Sequence, residues 1–195
     1  MKISLIATVL NEEQSIRGFL DSVLSQKTLP GEVIIVDGGA TDATRSVISN
    51  FESPISGFQF KLIKKKGNRS VGRNTAIKNS TGDIIAVSDA GCILDKNWVK
   101  NITEPFKDKD IDVVAGYYKG LVKNVFQKCL VPYVLVMEDK VDPDNFLPAA
   151  RTMAFRKSIW EKVGGFPEQF SNNEDYVFSK RLNNLSGLTL DNPKQ

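Results

Sequence analysis

With no histidine among the 195 residues, proton transfer in this chain falls to carboxylates, Lys or Tyr, and no Ser-His-Asp or Cys-His arrangement can be assembled. Three acidic positions stand out. Asp37 lies in Val36-Asp37-Gly38-Gly39, Asp89 in Ser88-Asp89-Ala90-Gly91, and Glu174 adjoins Asp175 after Asn173. A carboxylate within hydrogen-bond reach of a hydroxyl can act as a general base. Arg69 and Arg73 close a basic stretch that includes Lys61, Lys64, Lys65 and Lys66. Read alone, that stretch is equally a solvated face. Cys92 and Cys129 are the only cysteines, too few for a four-ligand zinc site without histidine. They suggest no disulfide framework, so a reduced compartment is expected. Cys92, beside Gly91, reads as a small buried residue.

Stepping outward to the elements, strands and helices alternate. Ile3 to Val9 is a near-continuous apolar run, as for a strand buried on both faces. Asn11 offers an N-cap with Gln14 as reciprocal partner, and Ile16, Phe19, Leu20, Val23 and Leu24 follow at helical spacing. Pro30-Gly31 precedes a second strand, Glu32 to Val36. Thr41 or Asp42 can cap a helix carrying Val47, Ile48 and Phe51. A third strand is expected at Phe58 to Ile63, a helix from about Arg69 to Asn79, and a strand at Asp83 to Ser88. A helix around Asn97 to Lys107 puts Trp98, Ile102 and Phe106 on one face, and Val113 to Tyr117 reads as a strand. The alternation predicts an α/β fold with a mostly parallel, doubly wound sheet. From Gly120 onward the pattern is less regular.

The junctions at Asn11, Asp37 and Asp89 all fall at carboxyl ends of predicted parallel strands, the edge where open α/β sheets bind ligands. The plainer reading is that these residues cap the helices that follow. A dinucleotide fold is excluded because the first strand–helix turn has no glycine, and no Gly-Lys-Ser/Thr supplies a P-loop.

TVLNEEQSIRGFLDSVLSQ, VIIVDGGATDAT, GRNTAIKNSTGDIIAVSDAG and VGGFPEQFSNNEDYVFSKRL resemble, in this order, the successive signatures of family 2 glycosyltransferases. The resemblance runs from Ile3 to about Leu182. It implies a GT-A fold, Rossmann-like, with a nucleotide-binding half over residues 1–91 and an acceptor-binding half over 92–195. It implies inverting transfer from a nucleotide-diphosphate sugar to a carbohydrate or lipid-linked acceptor, in cell-surface polysaccharide or glycoconjugate biosynthesis. By motif, Val9 and Asn11 would line the nucleoside pocket with Glu13 nearby, Asp37 would contact base or ribose, and Asp89 would be the first DxD carboxylate. Asp175 would be the catalytic base, with Glu174 beside it. For Glu174 and Asp175 the plainer reading is an acidic first helical turn favoured by the helix dipole. Asp89 could hold Mg²⁺ or Mn²⁺ through oxygen, and Arg69 and Arg73 could meet the diphosphate with their forked donors. Arg151, in an acceptor-side loop, is a further candidate contact.

The sequence departs from the family pattern at Gly38, where a second acidic residue is usual, and at Gly91, where the second DxD carboxylate is missing. No QxxRW-like segment follows the acidic pair, so the domain reads as C-terminally truncated. A nucleotide-sugar-binding module with little turnover therefore stays open, and so does a nucleotidyltransferase, which would want a Gly-rich basic first loop. The net charge of +3 suits an anionic ligand but is too small to imply nucleic acid. Cys129 to Met137, the most apolar later stretch, is too short to span a bilayer and contains Pro132. The expected setting is cytoplasmic, with membrane association left to a missing C-terminal part.

Overall fold

The computed structural model describes residues 1–51, 58–142, 147–185 and 190–191. Its strands are β1 (Ile3–Val9), β2 (Glu32–Asp37), β3 (Gln59–Lys64), β4 (Ile84–Ser88), β5 (Val113–Ala115), β6 (Thr152–Arg156) and β7 (Leu190–Asp191). Its helices are α1 (Ile16–Leu24), α2 (Thr44–Ser49), α3 (Arg69–Lys78), α4 (Trp98–Thr103), α5 (Val125–Val134), α6 (Lys157–Lys162) and α7 (Glu174–Asn183). The strands form one sheet in the order β3-β2-β1-β4-β6-β5-β7. β1 through β4 run parallel, whereas β6 is antiparallel to both β4 and β5. The expected mixed α/β architecture with a mostly parallel centre is what the chain forms.

Alternation along each strand divides the core into two layers. Leu5, Ala7, Val33 and Ile35 pack against Ile16, Phe19 and Leu20 of α1 and Ile48 of α2. Ile6, Ile34, Ile85 and Val87 face the other side, against Ala76 and Ile77 of α3 and Phe178 and Leu182 of α7. There Phe166 and Phe178 stack at 4.0 Å between ring centroids, with Phe155 of β6 at 5.4 Å from Phe178. Burying each large apolar side chain contributes about 1.5–3 kcal/mol. The aromatic trio fixes where α7 begins, and with it Glu174 and Asp175.

Several boundaries differ from the sequence reading. Asn11 does not cap α1, which starts at Ile16 after Ser15. Asn11 adopts a left-handed conformation, φ 56°, which Asn tolerates better than most residues, and its Oδ1 accepts the Thr41 N–H at 2.9 Å. The helix expected over 97–107 is α4 followed by a tighter turn at Glu104–Lys107, where Pro105 offers no N–H to continue the α ladder. β5 ends at Ala115. Antiparallel β6 lies between β4 and β5, and neither it nor α5 was expected from the pattern.

Candidate active site

The carboxyl ends of β1, β2 and β4 meet at a cleft of about 520 Å³. Thr8, Val9 and Leu10 come from the first strand and turn, Val36 and Gly38 from the second, and Asp89 to Cys92 from the fourth. Gly67, Asn68 and Arg69 add the start of α3. The Asn68 side chain caps that helix by accepting the Val71 N–H at 3.1 Å. The positive end of a ten-residue helix therefore faces the cleft, an arrangement suited to phosphate. Arg151, Ser171 and Asn172 form the opposite wall.

At the back of this site one buried guanidinium joins two distant segments. Arg73, 2% exposed, donates to Glu174 Oε1 at 2.6 Å and to Asp89 Oδ1 at 3.1 Å. Its Cζ sits 5.4 Å from the centroid of the Phe166 ring. Glu174 is buried, while the Asp89 side chain is about a third exposed at 32%. A planar fork satisfies two carboxylates at once, which an ammonium could not do with the same geometry. Arg73 is thereby committed to protein, and Arg69 and Arg151 are the guanidinium groups lining the cleft. Arg69 makes no hydrogen bond or ion pair among the described residues.

The other expected residues divide. Val9 lines the cleft, whereas Asp37, 1% exposed, does not, although its chain neighbours Val36 and Gly38 do. Asp37 Oδ1 accepts the N–H groups of Gly39 and Ala40 at 2.8 and 2.7 Å, while its buried Oδ2 has no hydrogen-bond partner. Asn11 and Glu13 stand outside, beside Asp42 in a separate shallow pocket. Glu13 Oε2 accepts the Ala43 N–H at 2.8 Å, so its carboxylate supports the start of α2. The acidic residue of this turn that enters the cleft is Glu12, which the sequence reading passed over. Asp175 is not among the residues that line the cleft; its Oδ2 accepts the Ala150 N–H at 3.4 Å and its Oδ1 the Tyr176 N–H at 2.9 Å.

The glycine departures have different physical bases. A Cβ on Gly38 would stand 3.2 Å from the Gly67 carbonyl and 3.4 Å from that of Val9, so the loop before α3 occupies the space of a side chain. A Cβ on Gly91 would meet only Glu12 Oε2, at 3.8 Å. The absent carboxylate thus leaves open space, with another carboxylate at its edge. Burial, together with the adjacent Asp89 charge, pushes the Cys92 thiol up from its ordinary value, the opposite of nucleophile activation.

The cleft therefore combines a phosphate-seeking helix terminus, the cationic side chains of Arg69 and Arg151, and a carboxylate linked to an acidic helix start. The family model described as Glycosyl transferase family 2 matches residues 4–164. The chain belongs to glycosyl transferase family 2. Among its relatives in this family, AglE from Haloferax volcanii is 25% identical over 185 residues, covering 92% of this chain and 60% of that protein. Poly(ribitol-phosphate) beta-N-acetylglucosaminyltransferase TarP from Staphylococcus aureus is 27% identical over 190 residues, covering 91% of this chain and 56% of that one. The solved structure of the mannosyltransferase PcManGT from Pyrobaculum calidifontis, in complex with GDP-Man and Mn²⁺, superposes on the whole chain with a TM-score of 0.74 at 23% identity, over 55% of its own length. The chain thus spans somewhat more than half the length of these proteins.

Proposed function

We propose that this domain transfers a glycosyl unit from a nucleotide-diphosphate sugar to an acceptor hydroxyl with inversion at the anomeric carbon. The observation that carries the reading is the Arg73 guanidinium, which ties Asp89, at the cleft, to Glu174, the residue before Asp175. A donor-side carboxylate and the start of α7 are held together by one rigid fork.

In this reading the nucleoside lies over Val9 and Gly38. Asp37, whose buried Oδ2 has no hydrogen-bond partner among the described residues, contacts the base or ribose once its neighbours Val36 and Gly38 admit the nucleoside. The diphosphate meets the start of α3, Arg69 and Arg151. The hard oxygen donors Asp89 and Glu12, which both line the cleft, would hold a divalent cation, with phosphate and water completing its shell. That cation, when bound, supplies positive charge opposite the leaving diphosphate. The acceptor oxygen attacks the anomeric carbon as the bond from that carbon to the diphosphate oxygen breaks. The diphosphate leaves with the bonding electron pair, and the hydroxyl proton passes to the Asp175 carboxylate. Glu174, held by Arg73, positions Asp175.

S. aureus TarS was solved with UDP-GlcNAc and PcManGT with GDP-Man, so both uridine and guanosine donors are candidates. The acceptor class proposed is carbohydrate or lipid-linked, and the setting cytoplasmic. Incubating the protein with a panel of UDP- and GDP-sugars, with and without Mn²⁺, and measuring binding and nucleotide release tests this reading. Turnover of one donor is expected. Donor binding with no release under any condition would favour a binding module.

A further inference from the structure

Between β5 and β6 the chain forms a helix whose amphipathicity is inverted. α5 contains no buried residue. Val125 and Phe126 are 78% and 72% exposed, and Tyr133 and Val134 are 86% and 70% exposed. On a helical projection Val125, Cys129 and Tyr133 form one row, and Phe126, Leu130 and Val134 form the row beside it. The two rows make a continuous apolar stripe that points to solvent. The opposite side holds the helix in place: a Cβ on Gly120 would stand 3.0 Å from Val131 and 3.4 Å from Leu135. The Tyr117 hydroxyl donates to the Val136 carbonyl at 2.9 Å.

Charge indicates what the stripe meets. From Lys119 to Met137 the sequence carries three lysines and no acidic residue; Lys123 precedes the helix, Lys128 lies within it, and Glu138 and Asp139 follow. Lysine stems can lie along apolar surface while their ammonium groups reach outward. A helix of ten residues is about 15 Å long, half a bilayer's hydrocarbon thickness. No helix among the described residues is long and apolar enough to cross a membrane. An apolar stripe accompanied by Lys123 and Lys128, too short to span, has the make-up of a helix lying in the interfacial plane. Its position fits that role: Arg151, on the cleft wall, stacks 4.8 Å from the ring of Tyr118, at the base of this segment.

We infer that α5, together with Lys123 and Lys128, forms a docking surface for an anionic lipid bilayer, which holds the cleft mouth beside the membrane face. This inference does not depend on the sugar-transfer reading, and either can fail without the other.

The test is co-sedimentation of the protein with phosphatidylcholine vesicles and with phosphatidylcholine vesicles containing phosphatidylglycerol, at low and high salt. Two double variants accompany it, Phe126→Ser/Leu130→Ser and Lys123→Glu/Lys128→Glu. Binding to the anionic vesicles that weakens with salt is expected, with each variant losing about tenfold or more. Thermal midpoints should be unchanged, because these side chains are exposed. No partition into anionic vesicles, equal partition into neutral ones, or unaltered binding by the variants would overturn the inference. Light scattering is the second readout: a wild-type dimer that the Phe126→Ser/Leu130→Ser variant dissociates, without vesicle binding, would assign the stripe to a second copy and overturn it too.

Discussion

Replacing Arg73 with Met should expose how the two halves of the site are coupled. The substitution keeps much of the side-chain volume but leaves Glu174, 3% exposed, with its charge buried and uncompensated. Breaking a buried pair in this way costs about 3–5 kcal/mol. The partner Asp89 is a third exposed, so its share is screened and adds only about 0–1 kcal/mol. For a domain of this size each kcal/mol moves the thermal midpoint by about 2–4 °C, so a fall of roughly 6–24 °C is expected. The double variant Arg73→Met/Glu174→Leu removes the orphaned charge and should recover most of that loss, since an apolar replacement of a buried pair is often neutral. Urea unfolding and calorimetry measure both. A loss below about 1 kcal/mol for Arg73→Met, or double-variant losses that simply add, would refute the claim that this buried pair is a coupled unit.

Gly72 lines the cleft, and a Cβ there would stand 2.5 Å from Thr8 Cγ2; Gly72→Ala should therefore cost about 1–3 kcal/mol and weaken donor binding, as unfolding and titration calorimetry can check. Gly91→Asp should tighten Mn²⁺ binding in the presence of nucleotide, because the added carboxylate enters open space beside Glu12; unchanged affinity by calorimetry would remove this loop from the cation site. At the opposite end of the sheet, burial acts to raise the pKa of Glu32, but hydrogen bonds from Ser4 and Thr81 and the charge of Lys2 outweigh it and leave the carboxyl below its ordinary value. Its stabilising contribution is thus complete above the unfolded value of about 4.3 and lost as pH falls through the lower folded value. Glu32→Gln should flatten the acid limb of the urea midpoint against pH, and a limb as steep as wild type would contradict this.

The parallel half of the fold was legible because β1, β2 and β4 are near-continuous apolar runs, β3 alternates, and α1 carries a 3.6-residue apolar period. β6 was not, since Thr152 to Arg156 is short and no hairpin turn joins it to a neighbour; only its pairing to Val113 and Ile85 reveals it. α5 escaped because its apolar residues face outward, which the amphipathic rule reads the wrong way. Among site residues, the strand-end positions of Asp37 and Asp89 followed from the alternation alone. The turn after β1 did not yield to pattern: the left-handed Asn11 rotates Glu13 toward α2 and brings Glu12 into the cleft. Nor could Arg73's commitment be read, because its partners lie 16 and 101 residues away.

The central claim is that Asp175 takes the acceptor proton in transfer from the nucleotide sugar. The most direct test measures the transfer rate and the donor dissociation constant of Asp175→Asn side by side. Removal of a general base typically costs about 10²–10⁴-fold in rate. A loss of that order with donor affinity nearly intact is expected, because Asp175 is not among the residues lining the cleft. Transfer at close to the wild-type rate, or a loss that resides in donor binding, would contradict it.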